Sequence, residues 1–236
     1  MQPNADKLLQ ISGINTSPVG FYEARDTKPF EPFVNPKHCF FSAYNDWQKG
    51  KSVLISREKF KCPGAGYWLC GVESMPRDKF TNFLANKEGL KSSIEIMNQW
   101  LDNQQYYKQS YPYIVIGPLR EEQYDYLRTV TFFVNPDQLS LLMTGAEYKN
   151  AGIYDHNVIT KFGSGCSQLA ALFDDLDSPK AIIGATDIAM RQYLPPDILA
   201  LTVTKPMFEQ LCGLDENSFL YKPFWKVLRK AREEHK

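Results

Sequence analysis

The sequence predicts one α/β or α+β domain over residues 1–236, with a central mixed β-sheet flanked by helices. Strand patterns and helix patterns succeed each other along the chain, which is typical of this class. The run Tyr113–Pro118 is apolar without interruption, as in strands buried on both faces. A second strand pattern leads directly into Asn135 and Pro136, a capping residue and a proline suited to the first helical turn.

Glycine and proline separate the predicted elements of the first half. Gly13 ends an amphipathic helix, and Asn35 and Pro36 begin a second helix that carries Cys39 in its first turn. In chain order we predict a helix over residues 5–13, a strand over 18–22, a proline-punctuated loop over 25–36, a helix over 37–48, a strand over 52–56, and two helical pieces over 76–101 that are separated at Gly89.

The second half continues the alternation after a polar, tyrosine-rich connector. The last helix is amphipathic, and its Lys and Arg residues suit the C-terminal end of a helix dipole. In chain order we predict the connector over residues 104–112, strands over 113–118 and 129–134, a helix over 138–148, a helix through 176 that follows Cys166, strands over 180–183 and 199–203, and helices over 206–211 and 223–236.

Composition excludes several classes of protein. The chain carries 27 Lys and Arg against 27 Asp and Glu, so the surplus of positive charge that nucleic-acid binding needs is absent. No run approaches the roughly 18 apolar residues of a membrane span, and the first residues lack the apolar core of a signal peptide. The five cysteines are irregularly spaced, which does not indicate a disulfide framework. We therefore expect a cytoplasmic protein without membrane or nucleic-acid partners.

Three cysteines, Cys39, Cys62 and Cys166, fall at or near predicted helix starts. Cys62 precedes the turn residues 63–66, which include Gly64 and allow a ligand to approach the backbone closely. Unsatisfied N–H groups and the positive end of a helix dipole favour thiolate, the form that attacks electrophiles or binds metals. The alternative is that each cysteine is a small buried hydrophobe.

Cysteine spacing bears on the metal hypothesis. No two cysteines are separated by two residues, the spacing of zinc-finger and ferredoxin sites. A metal would need the fold to bring Cys39, Cys62 and Cys166 together, and the cofactor hypothesis is an iron–sulfur cluster or another thiolate-bound metal. Cys70 and Cys212 lie in apolar helical faces, where we expect core packing.

Polar residues near other strand-to-helix junctions complete the predicted site. Asp187 follows a predicted strand, and ligands of open α/β sheets bind beyond the carboxyl ends of strands. A plain N-cap is the alternative for Asp187, and Arg191 lies four residues on, along one helical face. Asn135 and Gln138 either cap their helix or line the same cleft. The predicted ligand-binding residues are Cys62, Gly64, Asn135, Gln138, Cys166, Asp187 and Arg191.

Several segments, taken in order, resemble the ArCR family, also called domain of unknown function 169. The resemblance covers nearly the whole chain and implies a cytosolic single-domain protein with no established role and no catalytic assignment. Near Gly184 the family tends to have a glycine-aspartate-arginine turn, whereas this chain has Ala185, Thr186 and Asp187. The segments that carry the resemblance are residues 60–65, 117–119, 133–138, 147–152, the Cys166 segment and Cys39.

The two halves of the chain are alike in outline. Cys39 leads through a predicted helix to the strand at Val53, 14 residues on, and Cys166 leads in the same way to the strand at Ala181, 15 residues on. An internal duplication is therefore a further prediction.

Three functions remain open. The leading hypothesis is a binding protein for a small molecule or a metal cofactor, in a cleft where the junctions at Cys62, Asn135, Cys166 and Asp187 converge at one edge of the sheet. The alternative is a thiol-dependent enzyme or redox protein that uses Cys62 or Cys166. The third hypothesis is a partner-binding structural protein with an interface in the aromatic-rich residues 106–126.

Overall fold

Eight strands form one mixed sheet in the computed structural model, which describes residues 4–36, 39–55, 64, 69, 75–103, 107–160 and 176–234. The strands are β1 Val19–Ala24, β2 Phe33–Val34, β3 Ser52–Ile55, β4 Tyr113–Pro118, β5 Leu127–Val134, β6 Val158–Thr160, β7 Ala181–Gly184 and β8 Leu199–Thr204. Their order across the sheet is β2-β3-β4-β1-β5-β8-β7-β6. The predicted fold class is confirmed.

Strand direction differs between the edges and the middle of the sheet. The edge pairs β2–β3 and β6–β7 are parallel. The pairings inside them are antiparallel. The edge strands β2 and β6 were not predicted from the sequence, because they have only two and three residues and none of these is fully buried. So short a strand shows no clear apolar alternation.

Helices cover both faces of the sheet. They are α1 Ala5–Ser12, α2 Tyr44–Trp47, α3 Arg77–Asn82, α4 Ile94–Asp102, α5 Pro136–Glu147, α6 Ile188–Arg191, α7 Lys205–Cys212 and α8 Pro223–Glu234. Short 3-10 helices lie at Lys28–Phe30, Phe40–Ala43, Glu121–Tyr126 and Phe219–Tyr221, and a π-helix over Phe83–Lys87 continues α3.

Local signals set the helix ends at most predicted places. Gly13 ends α1 in the left-handed region, with φ 66°, and Gly89 separates the helical pieces of the predicted 76–101 segment with φ 64°. The helix predicted over 37–48 is shorter than expected. Cys39 is extended, with φ −73° and ψ 138°, and a 3-10 turn begins only at Phe40. Cys39 therefore precedes the helix instead of lying in its first turn.

Two hydrophobic clusters lie on opposite faces of the sheet. Alternate residues of β1 contribute to each, since Val19 and Phe21 belong to the first cluster and Tyr22 belongs to the second. The first cluster includes residues of α2, α3, α4 and α6, and its Trp47 ring stacks on Phe133 with 6.1 Å between ring centroids. The second includes residues of α1, α5, α7 and α8. The described residues thus form three layers, with the sheet between two layers of helices.

Strand order and direction repeat in the two halves of the sheet. Outward from the centre, one side runs β1, β4, β3, β2, and the other runs β5, β8, β7, β6. Each side ends in a parallel pair. Cys39 falls between β2 and β3 in sequence, and Cys166 falls between β6 and β7. The common ancestry of the halves stays a prediction, although this topology matches the outline it was based on.

Candidate functional site

Asn135 and Gln138 form the start of α5. Asn135 Oδ1 accepts a hydrogen bond from the Gln138 N–H at 2.9 Å, and Gln138 Oε1 accepts one from the Asn135 N–H at 3.0 Å. This reciprocal arrangement is a capping box. The side-chain amide of Gln138 also donates to the Gly13 carbonyl at 2.6 Å, which ties α5 to the end of α1. These contacts are those of a cap, and a ligand role for the two residues stays a prediction.

Asp187 and Arg191 also make local contacts. Asp187 caps α6 by accepting a hydrogen bond from the Ala189 N–H at 2.9 Å. The Arg191 guanidinium donates to backbone carbonyls in the loop before β8, namely those of Pro195 at 3.1 Å, Pro196 at 2.8 Å and Ile198. Arg191 therefore fixes this loop, and a ligand contact by either side chain stays a prediction.

The turn before Asp187 departs from ordinary backbone geometry. Ala185 has φ 61°, in the left-handed region where residues other than glycine are uncommon. Nearby, burial and then the negative charge of Asp187 raise the pKa of Glu88. The unusual backbone lies where the sequence predicts a departure from the glycine-aspartate-arginine turn of the family that the chain resembles.

The predicted cysteine site falls largely outside the described residues, since Cys62 and Cys166 are not among them. Cys39 is half-buried, forms no disulfide and packs against the first cluster. Gly64 is helical and half-buried. Within the described ranges, no three His, Cys, Asp or Glu residues lie close enough to hold a metal ion. The metal and thiol hypotheses therefore stay predictions.

The described strands that precede the predicted junctions do not all finish at the same end of the sheet. β5 and β7 both run antiparallel to β8, so they finish at the same end of the sheet. Asn135 and Asp187 follow these two strand ends. Three antiparallel pairings separate β3 from β5, so β3 runs in the opposite direction. β3 therefore finishes at the other end of the sheet. Cys62 comes seven residues after β3. The convergence of Cys62 with Asn135 and Asp187 stays a prediction, because Cys62 lies outside the described residues.

A polar pocket of about 450 Å³ lies at the end of the sheet where β3 finishes. The register shows this position, since Ile55 of β3 pairs with Ile114, which in turn pairs with Glu23 of the pocket. The end of β1, the start of β5, the loop after residue 106, the segment before β7 and the start of α7 all contribute side chains. The pocket thus collects residues that are distant in sequence.

Glu23 is the most buried charged group of the pocket, with a side chain only 2% exposed. Its carboxylate accepts hydrogen bonds from the Tyr107 hydroxyl, the Ser110 N–H and the Tyr111 N–H, the last at 2.6 Å. Burial, and then the hydrogen bond to Glu23, raise the pKa of Tyr107. Glu23 therefore fixes the loop that forms one wall of the pocket.

Arg128 reaches the pocket from an irregularity in β5. The pairing of β1 with β5 steps from Phe21–Thr129 to Tyr22–Leu127, so Arg128 is an extra residue on its strand. Bulges of this kind redirect a side chain and are common beside functional sites. Arg128 Nε donates to Glu23 at 3.4 Å, a contact that does not use its two terminal nitrogens. Burial lowers the pKa of Arg128, but Tyr107 and Glu23 raise it more.

Lys205 and Glu209 lie one turn apart on α7, and Tyr124 holds both. The Lys205 ammonium donates to the Tyr124 carbonyl at 2.9 Å and lies 4.1 Å from the centre of its ring. The Tyr124 hydroxyl donates to Glu209 at 2.7 Å. Burial, and then Glu209, raise the pKa of Tyr124. Two charges of opposite sign are therefore held in place on this wall.

Sequence reasoning did not single out this pocket, because its residues come from separate segments that share no motif. One signal was available. Glu23 alternates with Val19 and Phe21 on a buried strand face, and a buried charge needs partners. The charged lining comprises Lys108, Arg128 and Lys205 with Glu23, Asp177 and Glu209. Such an arrangement can bind a small polar molecule through ion pairs and hydrogen bonds.

Comparison with known proteins gives a match to a family model. The family described as Uncharacterised ArCR, domain of unknown function 169, matches residues 7–213. No curated protein and no solved structure matches the chain. Among the helices that the structure describes, none combines the length and the apolar composition of a membrane span. The family match includes every described strand and the whole charged lining of the pocket, and α8 lies beyond it. The chain therefore belongs to the uncharacterised ArCR family.

Proposed function

We propose that this protein binds a small polar molecule in the pocket between Glu23, Arg128 and the start of α7. The observation that carries the proposal is that Glu23, Lys205 and Glu209 are already held by contacts within the protein, as with the hydrogen bonds that surround Glu23. Fixed groups lose little conformational entropy when a ligand binds. The volume of about 450 Å³ suits a small ligand, because ligand pockets span roughly 300–1,000 Å³.

This proposal moves the site away from the end of the sheet that holds Asn135 and Asp187. It retains the leading hypothesis of small-molecule binding. The pocket lies at the end of the sheet where β3 finishes, and β3 is the strand that precedes Cys62 in the sequence. The balance of 27 basic and 27 acidic residues supports a ligand other than nucleic acid. The irregular cysteine spacing supports a cytoplasmic location for the binding protein.

A thermal-shift screen tests the proposal with a panel of small carboxylic acids, amino acids, sugars and phosphates. At a concentration of 100 times its Kd, a true ligand is expected to raise the Tm of the wild-type protein by about 5–10 °C. Lys108→Gln and Arg128→Gln are expected to reduce that shift. Lys108 is exposed, so its replacement tests binding without disturbing the fold.

Arg232→Gln is the matched control, because Arg232 lies on α8 and pairs with Asp137 outside the pocket. Its shift should equal that of the wild-type protein. A compound that stabilises all four proteins equally binds elsewhere and would count against the pocket. If no compound in the panel stabilises the wild-type protein, the proposal fails for these ligand classes.

The thiol-dependent alternative has its own test. A catalytic or redox cysteine reacts rapidly with alkylating reagents below the ordinary thiol pKa, because the thiolate is the reactive form. Slow alkylation of Cys62 and Cys166 at pH 6–7, compared with the same residues in unfolded protein, would exclude this alternative.

A further inference from the structure

The pocket carries fixed charges of both signs on one helix. Lys205 and Glu209 are four residues apart on α7, so both face the same side. Tyr124 holds Lys205 through its backbone carbonyl and Glu209 through its hydroxyl. Each charged group is therefore directed by a contact of its own, and each is available to a ligand group of opposite charge.

Two cationic residues lie next to each other along the backbone where β5 and β8 meet the pocket. The ladder pairs Thr129 with Thr204, so Arg128 and Lys205 are the next residues beyond that pair. Positive charges that line one pocket repel each other, and an anionic ligand group relieves that repulsion. Glu23 contacts Arg128 through Nε at 3.4 Å, and the Tyr107 hydroxyl also interacts with the guanidinium. The terminal nitrogens of a guanidinium fit a carboxylate in a two-pronged arrangement.

The acidic residues limit what this anion can be. Glu23, Asp177 and Glu209 all line the same pocket, so a ligand with several negative charges would meet repulsion. Asp177 is exposed and Glu209 is held by Tyr124, and both are suited to accept hydrogen bonds from an ammonium group. Leu127, Leu176 and Pro206 add apolar contact surface for a short side chain.

We infer that the ligand is a small zwitterion of the amino-acid class. Its carboxylate lies towards Arg128 and Lys205, and its ammonium lies towards Glu209 and Asp177. This inference rests on the proposed function, because it specifies the ligand of the same pocket. Both ends of the ligand contribute, so removal of either charge weakens binding.

Isothermal titration calorimetry with three matched series tests the inference. The first series is the L-amino acids, the second is the 2-hydroxy acids with the same side chains, and the third is the corresponding amino-acid amides. The hydroxy acids lack the ammonium group and the amides lack the carboxylate. Each is expected to bind at least about tenfold more weakly than the amino acid, the size of one lost charged hydrogen bond.

Two isosteric or near-isosteric variants test which residue binds the ammonium of the ligand and which binds its carboxylate. Glu209→Gln keeps an acceptor for the Tyr124 hydroxyl and is expected to weaken the amino acid about tenfold while leaving the hydroxy acid unchanged. Lys205→Gln is expected to weaken the amino acid and the hydroxy acid alike, but not the amide. Lys226→Gln, at an exposed position on α8, serves as the control and should change none of the affinities.

The outcomes separate this inference from the proposed function. If hydroxy acids bind as tightly as amino acids and Arg128→Gln weakens both, the pocket is an anion site, and the inference is overturned while the proposed function stands. The same holds if only an uncharged compound of the wider panel binds and is sensitive to Arg128→Gln. If nothing binds to the wild-type protein, both are overturned.

Discussion

A carboxylate buried at the end of a strand is costly unless hydrogen-bond donors surround it. Glu23 meets this requirement with a hydroxyl, two backbone N–H groups and a guanidinium. The two N–H groups belong to a loop without regular structure, between residues 107 and 112. The Glu23 carboxylate therefore holds this loop in place, whereas hydrogen bonds between backbone groups hold the strands of the sheet.

Replacement of the Glu23 carboxylate by an amide tests how much this group contributes to the free energy of unfolding. Glu23→Gln keeps the shape but puts an NH2 group where one oxygen accepted hydrogen bonds, and it leaves Arg128 without its ion pair. We expect a loss of about 2–4 kcal/mol in the free energy of unfolding, measured by urea denaturation. Glu233→Gln, on an exposed part of α8, should change stability by less than about 0.5 kcal/mol. Equal effects of the two variants would contradict this role for Glu23.

The Cys212 thiol makes the free energy of unfolding depend on pH in the alkaline range. Burial, and then the negative charge of Glu209, raise the pKa of Cys212 from 9.0 to about 12. Its pKa is thus higher in the folded chain than in the unfolded chain. The unfolded chain loses this proton first, so the stabilisation is complete below about pH 9 and is lost as the pH rises towards 12.

A Cys212→Ala variant removes this contribution. Between pH 8 and pH 10 the wild-type protein is expected to lose about 1 kcal/mol more unfolding free energy than the variant. Urea titrations at each pH measure the difference, and the comparison of slopes with pH cancels the constant cost of the small cavity. Parallel pH profiles would show that the thiol titrates alike in the folded and unfolded chains.

At the scale of single elements, α5 offers a test that separates a cap from a ligand contact. Asn135→Ala removes the side-chain acceptor for the Gln138 N–H and should cost about 1–2 kcal/mol of unfolding free energy. Asn135→Ser keeps an equally good cap and should keep nearly all of the stability. If Asn135→Ser is stable but loses binding of a ligand found in the screen, the residue belongs to a binding site after all.

Elements with strong local patterns were predictable, and those set by tertiary contacts were not. β4 has the predicted bounds because six apolar or small residues follow each other without a break. α5 begins where Asn135 and Pro136 predict it. β2 and β6 owe their existence to the neighbouring strands β3 and β7, and no local pattern shows such pairing. The pocket was missed for the same reason, because Glu23 and Arg128 meet only through strand register.

At the scale of the whole molecule, the two halves share their interior. β1 and β5 form the central pair, and the second cluster combines Leu8 and Tyr22 from the first half with Phe132 and Leu201 from the second. The repeated strand order therefore does not divide the chain into two independent cores. A boundary between the halves would split both clusters and expose the edges of two central strands.

This shared interior predicts that the chain unfolds in one step. Two single-tryptophan variants report on the two faces of the sheet, one keeping Trp47 in the first cluster and one keeping Trp225 in the second, with the other three tryptophans changed to phenylalanine. In each variant, fluorescence is compared with far-UV circular dichroism as a global probe. We expect the two signals to give the same urea midpoint and slope within each variant, because neither cluster persists without the strands that it shares with the other. A fluorescence transition that precedes or follows the dichroism transition would show that one face unfolds separately, and the prediction of a single cooperative domain would then be wrong.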